Sequence, residues 1–310
     1  MPSNEVNEQG RFWLAGTPIG EGRPFPTDAE DGTLTIDENG RITLHRRPIT
    51  RNNPSKLKIN KEHDVIIGYL PQSDRYVYIT GFDFFHWLRP VQAKICLICH
   101  DLLPDLPKID SEANIEIALD GFEYWLGLPF PRYECREDGT VALIGRPMQY
   151  HNFTKIGLNY DITIEKDWIG EVSRAKGVMA ASGKILLKPH SATTLPELAK
   201  TIHMLEEFLL LLTDRHRSLA WPRIKRQKQD FVFYYLSKSK RGQSEIDHLA
   251  CSICFPSITE KFCEIINNWY GQNDILTLAC QFYLATRRLS NIPLELKFVS
   301  LVWALEAMSR

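Results

Sequence analysis

Leu294-Glu-Leu-Lys-Phe-Val-Ser-Leu-Val-Trp-Ala-Leu-Glu-Ala-Met-Ser-Arg310 closes the sequence. Phe298, Leu301, Val302, Leu305 and Met308 recur at intervals of three and four, which draws an apolar stripe along one face of an α-helix. No Gly, Asn or Pro follows to stop it. A stripe of this kind must be covered. The spacing therefore predicts that the helix opens a helical domain whose remainder lies beyond Arg310.

The residues before it are helical as well. Asn291-Ile-Pro293 launches the last helix, and Asn273/Asp274 can cap another that runs to about Arg288. Ser257-Ile-Thr-Glu260 reads as a capping box, opening a helix that Gly271 can end. Further upstream, Thr194-Leu-Pro-Glu197 is a second such box. Its Thr hydroxyl can accept a backbone N–H while Glu197 reaches back to the cap, and Leu198, Ile202, Leu205, Leu209 and Leu212 then carry the buried face.

Before Thr194 the period changes to two. Strands are expected in Gly10–Gly16, Thr33–Ile36 and Arg41–Leu44, the last two joined through Asn39-Gly40 as a hairpin. Others are expected at Asp64–Tyr69, Tyr76–Thr80, Ala93–His100, Asn114–Leu119, Val141–Ile144, Tyr160–Glu165 and Gly183–Leu187, with a short helical turn in Gly121–Leu128. The fold class is α+β. Residues 1–9 are expected to be disordered, residues 10–222 form a β-rich domain of sandwich or jelly-roll type ending in the helix 194–212, residues 223–256 are a basic connector with one strand, and residues 257–310 begin a helical bundle.

The 310 residues carry a formal net charge of −1, so any nucleic-acid binding has to come from a local patch. The polar N-terminus has no signal-peptide pattern, and the longest apolar run, Phe208–Leu212, is too short to span a bilayer. A cytoplasmic protein with no membrane contact is the expectation, and seven cysteines fit reduced thiols better than a disulfide framework.

Gly10-Arg-Phe-Trp-Leu-Ala-Gly16, Gly32-Thr-Leu-Thr-Ile36 with Asn39-Gly-Arg-Ile-Thr-Leu44, Trp125-Leu-Gly127, and Leu294-Glu-Leu-Lys-Phe298 with Ala304-Leu-Glu306 together resemble the ApeA-type anti-phage defence proteins. These join a β-rich N-terminal region to a C-terminal HEPN domain. The resemblance implies a bacterial, cytoplasmic ribonuclease system that acts by abortive infection and dimerises through its helical domain. A phage-derived trigger would be its partner, and RNA the substrate of the full-length protein. It also implies metal-independent cleavage by an Arg and a His four to six residues apart on one helix, the Arg holding phosphate and the His moving a proton. That motif would lie after Arg310. Arg146-Pro-Met-Gln-Tyr-His151 sits among strands and Arg241–His248 precedes the helices, so neither is that motif. No catalytic residue is assigned in this chain; Glu306 matches a family Glu and would support the nuclease site, or is a solvated bundle Glu.

Two other patterns carry chemistry. Arg223, Lys225, Arg226, Lys228, Lys238, Lys240 and Arg241 stand against the single acid Asp230, with Tyr234 and Tyr235 interleaved. Such a stretch can hold a phosphate backbone and stack bases, or it is a charged hairpin with its aromatics turned inward. Cys96-Leu-Ile-Cys99 and Cys251-Ser-Ile-Cys254 offer four thiolates for a structural zinc, or are buried, inert cysteines; no other cofactor is expected. Gly177–Lys184 misses the phosphate-loop spacing and reads as a turn before a strand. The alternative to a ribonuclease regulator is a self-standing β-sandwich binding module for a protein, glycan or nucleic acid, which would keep its last helix inside its own core.

Overall fold

A computed structural model of the chain describes residues 6–46, 65–82, 90–103, 106–119, 121–127, 132–135, 141–144, 149–156, 159–172, 177–214, 219–237, 251–271, 273–288 and 293–309. In chain order the elements are β1 (Val6–Leu14), β2 (Glu30–Ile36), β3 (Ile42–Arg46), β4 (Ile66–Leu70), β5 (Arg75–Phe82), β6 (Val91–Cys99), β7 (Ala113–Ala118), β8 (Arg132–Cys135), β9 (Val141–Ile144), β10 (Gln149–Ile156), β11 (Tyr160–Val172) and β12 (Gly177–Pro189). Helix α1 (Leu195–Thr213) follows, then β13 (Arg223–Arg226), β14 (Gln229–Tyr235), α2 (Phe255–Ile258), α3 (Phe262–Gly271), α4 (Asn273–Arg288) and α5 (Leu294–Ser309). The chain divides into two compact units, one of residues 1–115, 192–199 and 221–241, the other of residues 116–191, 200–220 and 242–310.

The first unit is a closed antiparallel barrel. β1 pairs with β2 and β4, β2 with β3, β3 with β6, β6 with β5, and β5 with β4, which closes a ring of six strands. Closure leaves no edge in the ring, the reason barrels tolerate apolar strands. Phe12, Leu34, Leu44, Val77, Ile79 and Leu97 are each 1% exposed or less, so the inward alternation is well met. The expected β-rich domain is present, but in this unit its strands close into a barrel where a sandwich or jelly-roll was expected. Both architectures read as period-two strands, and only the long-range pairings β1–β4 and β3–β6 distinguish them.

One edge of β6 is shared. Its first residues, Val91–Ala93, bond β3, and Ile95–Ile98 bond β14. The stretch expected to be a connector thus supplies the β13–β14 hairpin to the barrel unit. Val6–Gln9, expected without structure, form the start of β1 opposite Thr33–Ile36. The β2–β3 hairpin forms where Asn39-Gly40 indicates, but with a different turn. Gly40 takes φ +74° whereas Asn39 does not have positive φ, and Asp37 Oδ1 accepts from the Asn39 and Arg41 amides at 2.9 and 2.8 Å. Gly40 is required there: an added Cβ would lie 2.0 Å from the Tyr235 carbonyl oxygen.

In the second unit β10, β11 and β12 form an antiparallel sheet, with Tyr160–Val172 registered against Gly177–Pro189. Gly177–Lys184 is therefore the first half of a strand and not a turn. The Thr194 capping box opens α1 as expected: the Thr194 amide donates to Glu197 at 2.8 Å and the Glu197 amide donates to Thr194 Oγ1 at 3.4 Å. The Ser257 box does not form. The helical segment starts two residues earlier because Phe255, 0% exposed, is held by its amide to the Trp125 carbonyl at 2.7 Å, and Ser257 Oγ donates to the Cys254 carbonyl instead. Tyr270 donates to the Thr201 carbonyl at 3.1 Å and Trp269 Nε1 to that of Met204 at 3.0 Å, which ties α3 to α1. Leu210, Cys280 and Leu284 join α4 to the same core.

Helix α5 lies against α4 through Ala304, 4% exposed, and the Phe282–Trp303 ring pair at 5.4 Å. Leu301 and Val302 of the expected stripe are half-buried, and much of the rest of the helix is exposed. Leu294, Phe298 and Leu305 are 78%, 66% and 67% exposed, and Leu296 and Trp303 are open as well. Met308, the last residue of the expected stripe, has a side chain outside the described set.

Candidate functional site

The basic hairpin is mostly committed to its own unit. Arg223 forms a bidentate pair with Asp230, at 3.2 and 2.5 Å. Arg226 lies 3.2 Å from both Asp110 and Glu112. Tyr234 and Tyr235 are buried in the first unit, Tyr235 in edge-to-face contact with Trp221, so neither can stack on a base. Lys225 and Lys228 point outward. Lys238, Lys240 and Arg241 lie outside the described residues, as do Arg146, Arg241 and His248 of the two Arg/His spacings set aside above.

Cys96 and Cys99 are 0% and 4% exposed within β6. Three residues apart on a regular strand, they project to opposite faces, so sharing one tetrahedral ion would require leaving the strand. Burial pushes the Cys99 thiol up to about 12 and raises that of Cys96 as well, which keeps both protonated. Cys251 and Cys254 are half-buried in the second unit. Among the described residues, no group of three or more His, Cys, Asp or Glu side chains is placed to hold a metal ion. Glu306 is exposed on α5.

The sequence reading missed a polar cluster inside the second unit. Along β11, Tyr160, Ile162, Ile164 and Lys166 alternate inward, and a lysine thus occupies a position where the period demands an apolar residue. Lys166 is 6% exposed. Its neighbour across β12 is Gly183, which adds no side chain beside it, and an added Cβ at Gly183 would meet Leu126 at 2.1 Å. On the other side, His151 of β10 faces Ile164 in register and stands diagonal to Lys166 on the same surface. Phe255 covers the group: Lys166 Nζ sits 4.9 Å from its ring centroid, His151 meets it edge-on at 5.2 Å and Trp125 lies tilted against it at 5.3 Å.

The electrostatics of this cluster are unbalanced. Lys184, on the outward face of β12, is neutralised by Glu165 at 2.8 Å and Glu116 at 3.3 Å. Lys166 has no carboxylate partner among the described residues. Burial holds its pKa below the ordinary lysine value. Burial, and secondly the nearby Lys166 charge, lower that of His151. Among the described residues, His151 Nε2 and Trp125 Nε1 are both buried without a hydrogen-bond partner. The alternation Tyr-x-Ile-x-Ile-x-Lys over 160–166 is the signal that would have found Lys166. His151 gave none, because β10 (QYHNFTKI) lacks an apolar period.

The sequence model of ApeA N-terminal domain 1 matches residues 110–269, slightly more than half of the chain. The chain belongs to the ApeA family of anti-phage defence proteins. The matched ApeA segment contains Trp125, His151, Lys166 and Phe255, so the buried cluster lies wholly inside it. Of the stretches that carried the resemblance, Trp125–Gly127 falls within it, whereas Gly10–Gly16, Gly32–Leu44 and the α5 motif fall outside. No curated protein and no solved structure matches the chain. Among the described residues, no helix is long and apolar enough to cross a membrane.

Proposed function

We propose that this chain is the sensing and regulatory region of an anti-phage defence ribonuclease of the HEPN type, which holds the nuclease in check until infection and then releases it to cleave RNA. The observation that carries the reading is the ApeA N-terminal domain 1 match over residues 110–269. The bare apolar surface of α5 supports it: Leu294, Phe298 and Leu305 are two-thirds exposed or more and would bury their side chains against a helical partner. A second copy of the chain is that partner, with the self-complementary pairing of a two-fold dimer. A self-standing binding module would instead draw Phe298 and Leu305 into its own core, so their exposure favours the first reading.

The reading assigns no catalytic residue to this chain. Purified chain incubated with transfer RNA and total RNA in the presence of a chelator is expected to leave both intact. Metal-independent cleavage by the chain alone would overturn the regulatory assignment.

A further inference from the structure

We propose that Lys166 Nζ, His151 Nε2 and Trp125 Nε1 form a buried oxyanion site in the β10–β12 unit, built to take the phosphate group of a small ligand, either free phosphate or a nucleotide. Three polar groups surround one ring. Lys166 is 94% buried by its 6% exposure, with its ammonium over the Phe255 face and no carboxylate near it among the described residues. The indole N–H of Trp125, itself 0% exposed, is unpaired among the described residues. So is the buried Nε2 of His151, which donates in the Nε2–H tautomer or as the imidazolium.

A lone buried donor is uncommon in a folded protein, and each has a desolvation cost. A charge carried on a side chain 94% buried, with no counter-charge among the described residues, is costlier still. Folding stability would be served by Met or Leu at position 166, which continues the inward series Tyr160, Ile162 and Ile164. An oxyanion resolves all three deficits together. It supplies the missing countercharge to Lys166, and its several lone pairs accept from the imidazole and the indole. A flat group attached to that anion would meet aromatic neighbours, since Trp125, His151 and Phe255 are aromatic and Phe122 meets Trp125 edge-on at 6.3 Å.

Position in the fold adds a regulatory consequence. Phe255 links the site to the helices: its amide is held by the Trp125 carbonyl at 2.7 Å, and its ring packs on Phe262 of α3 at 5.3 Å, which in turn meets Phe208 of α1 at 5.9 Å. An anion drawn in beside Lys166 therefore presses on the residue that starts the helical segment. Anion binding itself does not depend on the chain being part of a ribonuclease, so failure of one does not imply failure of the other.

The test is thermal unfolding of the purified chain in phosphate, in adenosine monophosphate, and in chloride of equal ionic strength. Saturating ligand is expected to raise the midpoint by roughly 5 °C over chloride. Lys166→Met should abolish the rise, and His151→Gln should reduce it while leaving a foldable protein if the first variant is poorly behaved. A rise with phosphate that adenosine monophosphate does not exceed identifies free phosphate; a larger rise with the nucleotide identifies the nucleotide. No rise with either ligand, or an equal rise in wild type and both variants, overturns the proposal.

Discussion

Replacing Lys166 with Met in the ligand-free chain should stabilise it. The side chain is 6% exposed and its ammonium has no counterion among the described residues. Moving an ammonium out of water costs several kcal/mol even after relaxation. The Phe255 ring at 4.9 Å returns about 1–2 kcal/mol of that through a cation–π contact. Met retains the buried stem and removes the charge, so a net gain of about 2 kcal/mol is expected at neutral pH. With a urea slope of roughly 2 kcal/mol per molar, the unfolding midpoint of the second unit should rise by about 1 M. The gain also has a required pH dependence. Burial lowers the Lys166 pKa, so its charge penalises folding below the folded-state value. That penalty is relieved as pH rises from the folded value to the unfolded one, because the unfolded state then holds more protons. The advantage of Lys166→Met should shrink across that alkaline window. A variant less stable than wild type by more than about 1 kcal/mol at neutral pH would refute the reasoning, since it would mean that the ammonium has a favourable partner.

Gly40→Ala should cost at least about 2 kcal/mol, measured by thermal unfolding, because φ is +74° and the new Cβ would meet the Tyr235 carbonyl at 2.0 Å and the Trp221 ring at 2.5 Å. Gly22→Ala, at φ +73° with nothing within 4 Å, should cost less than half as much. The Thr194 amide holds the Glu197 carboxyl below the usual carboxylate range, so the cap contributes above the unfolded value and is lost as pH falls through the lowered folded one. Wild type and Glu197→Gln should therefore converge in melting temperature in acid. Neutralising Lys225, Arg226, Lys238 and Lys240 together should flatten the salt dependence of RNA binding, with Arg226 contributing least because Asp110 and Glu112 already hold it. Equal affinities across the salt series would remove the hairpin from consideration.

Local signals in the sequence carried much of the fold. The Thr194–Glu197 box, Gly271 as a helix end and the Asn39-Gly40 hairpin are short-range devices, fixed by residues within a turn of one another. Barrel closure was not legible, because β1–β4 and β3–β6 join segments dozens of residues apart and leave the same alternation that a sandwich would. The Ser257 box failed for a related reason. Its local logic was overridden by burial of Phe255, whose partners Trp125 and His151 are far away in sequence. The basic patch was visible as composition, but whether Tyr234 and Tyr235 face solvent or core depends on β14 pairing with β6. Lys166 was legible as a break in an inward series; that it lacks a carboxylate partner among the described residues became visible only when β10, the Trp125 turn and Phe255 came together around it.

The most direct measurement is RNA integrity and phage plating on cells carrying the intact gene, compared with cells lacking it, before and after infection. We expect undamaged RNA before infection, RNA cleavage after it, and a reduced plating efficiency. Protection by the gene with RNA intact throughout would contradict the ribonuclease assignment, and cleavage before infection would contradict a sensing region that restrains it.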